Sequence, residues 1–232
     1  MSTNLFDTTA CEFSASTDKL IADNNYVRGR LFVEALQNYV SPGGKVLDFG
    51  CGPGRISVLA AKQGFEVVGV DSSASMIRAA SGQSLDGLKV SFAQCEGNGD
   101  DLGLRAYDAI ICSSVIEYVF DPQRLLANFV RALQPGGTLI LTFANRRSLW
   151  LALVRLFQAD RPHNALQKNL WSYYQASSYL TYNGFVIKGE PIFFEASTFD
   201  KRRLLRSVSK LSTVGSLCLI VGQLGSSHTV AL

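Results

Sequence analysis

In the stretch KVLDFGCGPGR (residues 45–55), a carboxylate, Asp48, stands two positions ahead of three closely spaced glycines, Gly50, Gly52 and Gly54, with Cys51 between the first two. Apolar residues run into the acid, and a helical pattern follows the last glycine. A strand that ends in glycines before a helix brings a ligand close to bare backbone and to the N–H groups of the helix start. The dinucleotide fingerprint is G-x-G-x-x-G, whereas the spacing here is G-x-G-x-G, and an acid ahead of the loop repels a pyrophosphate. The combination suits a ligand that carries positive charge; the alternative is a tight turn in a dehydrogenase-like fold. A second acid, Asp71, lies 21 residues after Gly50 at the end of the next apolar run. A carboxylate at that distance can accept hydrogen bonds from both hydroxyls of a ribose.

The elements that must position these acids are legible as alternation. Short apolar runs predict strands at Lys45–Phe49, Glu66–Val70, Lys89–Ala93, Ala109–Cys112 and Thr138–Phe143. Helical spacing predicts helices at Arg55–Lys62, Ala74–Ala80 and Pro122–Leu133, and QPGG (134–137) is expected to end the last of these and launch the fifth strand. Strand and helix in turn imply a parallel sheet with helices on both faces. Residues 146–180 read as helices and a loop. GFVIKGEPIFFE and VGSLCLIVGQ then give two late strands with no crossover helix between them, an antiparallel hairpin at one edge. The expected architecture is α/β: a Rossmann-like, doubly wound, seven-stranded sheet, mostly parallel, with that C-terminal edge hairpin. We expect a single domain over 1–232, with an N-terminal helical cap (1–44, helical over Leu31–Tyr39), a ligand-binding core (45–143), a substrate or lid insertion (144–183) and the C-terminal strands (184–225).

Composition narrows the class. Apolar residues make up 47%, enough for a full core, and a net charge of +3 is too slight to mark a nucleic-acid binder. No run of about 18 uncharged apolar residues occurs, and the N-terminus lacks the layout of a signal peptide. Five scattered cysteines without CxxC spacing fit reduced thiols in a cytoplasmic protein and offer no zinc site.

The motifs together resemble those of class I S-adenosylmethionine (SAM) methyltransferases, from residue 30 to about 143. The resemblance implies that Asp48, Gly50, Cys51, Gly52 and Gly54 surround the cationic amino-acid end of SAM. VVGVDSSASMIRAA is close to the family's V-x-G-x-D-x-S-x-x-M, which places Asp71 and Ser72 at the ribose and Met76 near the adenine; Met76 as plain core filler is the other reading. In FAQCEGN, Glu96 and Gly97 would meet the adenine ring, unless Glu96 is a solvated loop acid. Ser113 and Ser114, in YDAIICSSVIEYVFDP, start the loop facing the methyl group. Within the family the closer resemblance is to the ubiquinone-biosynthesis O-methyltransferases. It implies that Arg30, 16 residues before Val46, reaches the SAM carboxylate, with Arg28 as its rival. FANRRS after the fifth strand and the loop RPHNALQKNLWSY also match.

One departure matters. The E-x-x-E-H set that group uses for a divalent metal reads Ser114-Val115-Ile116-Glu117-Tyr118 here, and a lone carboxylate is a poor Mg²⁺ site. No metal is therefore expected, and Glu117 would pair with a nearby cation or a backbone amide. His163 is the candidate base for a hydroxylated acceptor, or an ordinary loop histidine. Tyr118, Trp150, Tyr173 and Tyr174 are candidates to shape the acceptor pocket, each with ordinary packing as the alternative. The apolar helix 146–158, fringed by Arg146, Arg147 and Arg155, is a core or lid helix, or an interfacial one that gives access to a lipophilic acceptor in a bilayer. The expected partner is a small-molecule substrate: there is no RNA-binding module, and CSSV replaces an NPPY-type tetrapeptide after the fourth strand. O-methylation of an aromatic or lipophilic metabolite leads. N- or C-methylation, or a non-catalytic SAM-binding partner of another methyltransferase, are the alternatives. The oligomeric state stays open.

Overall fold

The computed structural model describes residues 19–95, 98–157, 167–194, 213 and 215–226, with side chains from residue 27 onward except at 150, 154 and 157. A helix α1 (Lys19–Tyr39) leads into β1 (Lys45–Phe49). The units α2 (Arg55–Lys62) to β2 (Glu66–Asp71) and α3 (Ala74–Ser81) to β3 (Val90–Gln94) follow. Next come β4 (Tyr107–Ser113), α4 (Pro122–Ala132) and β5 (Leu133–Ala144). The chain closes with α5 (Leu149–Phe157), α6 (Tyr173–Tyr182), β6 (Phe185–Phe194) and β7 (Leu217–Leu224).

The strands form one seven-stranded sheet in the order β3-β2-β1-β4-β5-β7-β6. Neighbours among β1 to β5 are parallel, and β7 runs antiparallel to both β5 and β6. The expected edge hairpin is therefore present, with its second strand inserted between β5 and the first. Alternate strand residues feed two cores, since successive side chains point to opposite faces. Leu47, Ile110, Cys112, Leu139, Leu141 and Ile220 meet Leu125, Leu126 and Phe129 of α4 and Leu180 of α6. On the other face Val46, Ala109, Ile111, Ile140 and Val221 meet Phe32 and Leu36 of α1 and Ala60 and Ala61 of α2. Because both faces are covered, the strands read as continuous apolar runs rather than alternating ones.

Local signals set the boundaries. Asp121 caps α4 by accepting from Arg124 N, and Pro122 supplies the first turn. Ser172 and Gln175 form a capping box on α6. The QPGG expectation is corrected: β5 begins at Leu133, which pairs with Tyr107, and the register shifts before Ala109 meets Thr138. The four residues are an irregularity inside the strand. Arg105 N and Ala106 N donate to the carbonyls of Arg131 and Ala132, which holds the β4 entry against the end of α4 and lets pairing start early.

Phe129 is fully buried and meets Phe49 edge-on at 5.2 Å between ring centroids, so it ties α4 to the strand that carries Asp48. Phe129→Ala should cost about 3–5 kcal/mol of stability in urea denaturation. A loss below 1 kcal/mol would mean that α4 collapses into the vacated volume.

Candidate functional site

The strand order reverses between β1 and β4, and in open α/β sheets the crevice outside the carboxyl ends at that point takes ligands. A cavity of about 810 Å³ opens there, within the usual range for small-ligand sites. The loop after β1 forms one wall and the loop after β4 another. Asp71, Ser72 and Met76 close the β2 side, and Arg28, Leu151, Gln167 and Leu217 reach in from beyond the core.

The glycine loop is shaped by two N–H donors on one carbonyl: Gly50 N and Cys51 N both bond to Val70 O, at 2.8 and 2.9 Å. Gly50 takes φ 73°, and a Cβ there would lie 2.2 Å from Val115 Cγ2. The β1 and β4 loops can approach this closely only because position 50 has no side chain. The loop then presents Gly52 N to Asp71 Oδ2 at 2.8 Å, while Ser73 N donates to Asp71 Oδ1 at 2.9 Å. Asp71 is thus oriented at the cavity edge by two backbone amides. Ser73 in turn caps α3 through Met76 N.

Asp48 is buried. Ser57 of α2 donates to its Oδ2 at 2.5 Å, and its Oδ1 has no hydrogen-bond partner. Burial pushes its carboxyl up to about 7; the Ser57 bond opposes the shift and the charge of Asp71 adds to it. Across the cavity Glu117 repeats the pattern. Its Oε1 accepts from Ala144 N at 2.6 Å, its Oε2 is unpaired, and burial raises it to about 7 against its backbone hydrogen bonds and the charge of Arg28. Among the described residues the buried polar side-chain atoms left without a hydrogen bond belong to Asp48, Ser114, Glu117 and Arg155. Three of these four residues line this one cavity. The fold leaves hydrogen-bonding capacity unsatisfied where a ligand would use it.

The sequence-derived residues distribute as follows. Asp48, Gly50, Cys51, Gly52, Asp71, Ser72, Met76, Ser113 and Tyr118 line the cavity. Met76 is also buried, so lining and packing coincide there. Gly54 sits behind the loop as the N-cap of α2. Arg30 is corrected: it lies on the outer face of α1, 63% exposed and paired with Glu34 at 3.3 Å, while Arg28 lines the cavity. Tyr173 and Tyr174 are corrected too: Tyr173 packs against the α4 core and Tyr174 is 66% exposed, so neither faces the cavity. Glu96, Gly97, His163 and the side chain of Trp150 lie outside the described residues. Ser114, expected with Ser113 at the start of the loop facing the methyl group, lines the cavity in a strained turn with φ 53°, and Glu117, expected only to pair with a cation or a backbone amide, lines it too. Among the described residues no group of three or more His, Cys, Asp or Glu could hold a metal ion, and no helix is long and apolar enough to cross a membrane.

Residues 24–183 match the family described as a methyltransferase domain, and the chain belongs to it. Its fold is that of the SAM-dependent methyltransferases. It is 33% identical over 128 residues to the ubiquinone biosynthesis O-methyltransferase of Rickettsia prowazekii, covering 53% of this chain and 49% of the relative. Against the protein of the same name from Coxiella burnetii it is 33% identical over 145 residues, 60% of this chain and 59% of the relative. The chain therefore spans about half of the length of the curated relatives it matches. In fold it is similar to a chain from the complex containing the Haloferax volcanii Trm112 methyltransferase activator, with TM-score 0.71, 20% identity and coverage of 96% and 98% of the two chains. It is also similar to the magnesium protoporphyrin IX methyltransferase of Synechocystis with bound SAH, with TM-score 0.66, 19% identity and coverage of 89% and 85%.

Asp48 and Glu117 set a pH dependence in the ligand-free protein. Their folded-state pKa values are raised above the unfolded ones near 4. The stability their protons confer is fully present below pH 4 and is lost as the pH rises toward 7. Urea midpoints should fall over that window in the wild type, and less steeply in Asp48→Asn, which keeps an acceptor for Ser57. Parallel profiles for the two proteins would show that Asp48 ionises without cost.

Proposed function

We propose that this protein transfers a methyl group from S-adenosylmethionine to a small-molecule acceptor, and that the acceptor atom is the hydroxyl oxygen of an aromatic or lipophilic metabolite. The observation that carries this is a cavity in which an unsatisfied buried acid, a glycine loop and an amide-oriented Asp71 face the loop after β4. The residues present fit SAM. Asp71 has its carboxylate fixed for the ribose hydroxyls, and the free oxygen of Asp48 suits the cationic amino-acid end. Arg28, which lines the cavity where Arg30 does not, is the partner for the SAM carboxylate. Ser72, Met76, Glu96 and Gly97 are assigned to the adenosine side.

When bound, SAM supplies a methyl group on a sulfonium, whose sulfur leaves without needing a proton. The chain itself then has to align the acceptor and shed water. Val115, Val119, Phe120, Leu151 and Leu217 give the acceptor end apolar walls, with Tyr118 and Gln167 as polar contacts. Gln167 donates to Tyr118 Oη at 3.4 Å and accepts from Arg155, which anchors this end to α5. The names of the curated relatives support oxygen as the acceptor atom. Leu149 and Leu156 on the outer face of α5 are 68% and 72% exposed, which supports peripheral contact with a bilayer through 146–158 as the route for a lipophilic acceptor.

Calorimetry tests the cofactor. S-adenosylhomocysteine should bind and NAD should not; the reverse pattern sinks the proposal. Asp71→Ala should weaken S-adenosylhomocysteine binding by about 1.5–3 kcal/mol, the worth of hydrogen bonds to a charged group. Unchanged affinity would remove Asp71 from the site.

A further inference from the structure

We propose that Glu117 is the catalytic base of this enzyme, its Oε2 receiving the proton of the acceptor's hydroxyl; this rests on the hydroxyl-methylation reading above. The loop after β4 is built to hold that carboxylate. Ser114 adopts φ 53°, a conformation that costs a non-glycine residue on the order of 1 kcal/mol, and its N–H is held by Thr142 O at 3.1 Å and Thr142 Oγ1 at 3.2 Å. A later segment clamps the turn. Asn169 Nδ2 donates to Ile116 O and Val119 O at 3.1 and 2.7 Å, and Lys168 N and Asn169 N donate to Glu117 O at 2.7 and 3.1 Å. The side chain is fixed by the 2.6 Å bond from Ala144 N, at the end of β5.

None of this requires an acid. A glutamine would accept from Ala144 N equally well and would carry no charge into a buried site flanked by Ile116. The fold instead keeps a carboxylate with one unpaired oxygen on the cavity wall, an arrangement that lowers stability and that a hydroxyl donor in the cavity would relieve. The charged and titratable groups that bear on it are Arg28 from α1, Cys112 from β4 and Tyr118 beside it. Burial pushes both the Cys112 thiol and the Tyr118 hydroxyl up, so Glu117 is the group of this cluster that changes charge near neutral pH.

The balance of the step favours such a base. The acceptor oxygen forms the new C–O bond with its lone pair, the C–S bond breaks with its pair left on sulfur, and the O–H proton passes to Oε2. One positive and one negative charge disappear together, which a cavity of low polarity favours over any step that creates charge. The acid form of Glu117 returns its proton to water once the product leaves. A base whose pKa lies near the working pH is the most effective one.

The test uses the whole chain with catechol as the hydroxyl donor and 1,2-dimethoxybenzene as its counterpart without O–H. With S-adenosylhomocysteine bound, the wild type should bind catechol at least tenfold more tightly than the dimethoxy compound. Glu117→Gln should bind S-adenosylhomocysteine within about twofold of wild type. Its single-turnover methylation of catechol at saturating concentration should be roughly 10²–10⁴-fold slower. It should also lack the wild-type rise in rate as the pH passes about 7. A Glu117→Gln protein with wild-type rate and pH profile overturns the assignment and returns the role to His163. A wild type that binds S-adenosylhomocysteine but shows no preference for catechol also overturns it, and that measurement decides the matter if Glu117→Gln does not fold. A wild type that fails to bind S-adenosylhomocysteine overturns the cofactor assignment instead.

Discussion

Everything in the site is arranged around a carboxylate that the fold declines to satisfy. Asp48, next to last in β1, has one oxygen bonded to Ser57 and the other without a hydrogen-bond partner, buried at the cavity wall. Ionising it there is unfavourable, and a fold of marginal stability keeps such a group only if something else depends on it. The surroundings show what depends on it. The loop that follows must turn away at once, with Gly50 and Cys51 sharing the Val70 carbonyl, and in doing so it aims Gly52 N at Asp71. Asp48 and Asp71, the acids proposed to meet a positive charge and a ribose, are therefore linked through five residues of backbone, and neither can shift alone.

The second buried acid makes the cavity two-ended. Asp48 belongs to β1 and Glu117 to the loop after β4, the two strands that flank the reversal of strand order. Burial raises both to about 7. With both ionised, the cavity is biased toward a cation, and Arg28 moderates that bias at the Glu117 end.

What the sequence disclosed follows from which features are periodic or local. The five parallel strands, the helices between them and the glycine loop were legible because apolar runs and turn residues encode them directly. The order of the last two strands was not, because β7 pairs with β5 across nearly eighty residues of sequence. The arginine was misplaced because spacing from the strand was weighed without the face of the helix. Arg28, Phe32 and Leu36 recur every four residues and share one face, and Phe32 and Leu36 are fully buried against the sheet. Arg30, two positions on, is turned by about 200° and meets Glu34 in solvent. Tyr173 and Tyr174 failed for a similar reason: the capping box at Ser172 starts α6 at Tyr173, and its inner face goes to Ala176 and Leu180. Glu117 was legible as the acid left at the E-x-x-E-H positions with a backbone amide as a candidate partner, but its clamp was not, because that comes from Asn169, about fifty residues away.

That clamp bears on how this chain differs from the group it resembles. With serine at 114 and tyrosine at 118, two of the three E-x-x-E-H positions cannot ligate a metal, yet the third is kept, buried and held by its own backbone. A carboxylate that is only the remnant of a lost metal site is free to drift to glutamine, which would relieve the charge at no cost to the Ala144 hydrogen bond. It could also drift to a hydrophobic residue like its neighbours. The loop does the opposite: it spends a left-handed serine and four hydrogen bonds from residues 168 and 169 on keeping the Glu117 backbone in place. Where a metal would polarise an acceptor oxygen by its charge, a lone carboxylate can take the proton, most effectively with a pKa close to neutral, as burial provides here. The absence of the other two ligands and the presence of a buried, unpaired Glu117 on the same loop therefore fit the proposed base in place of a metal.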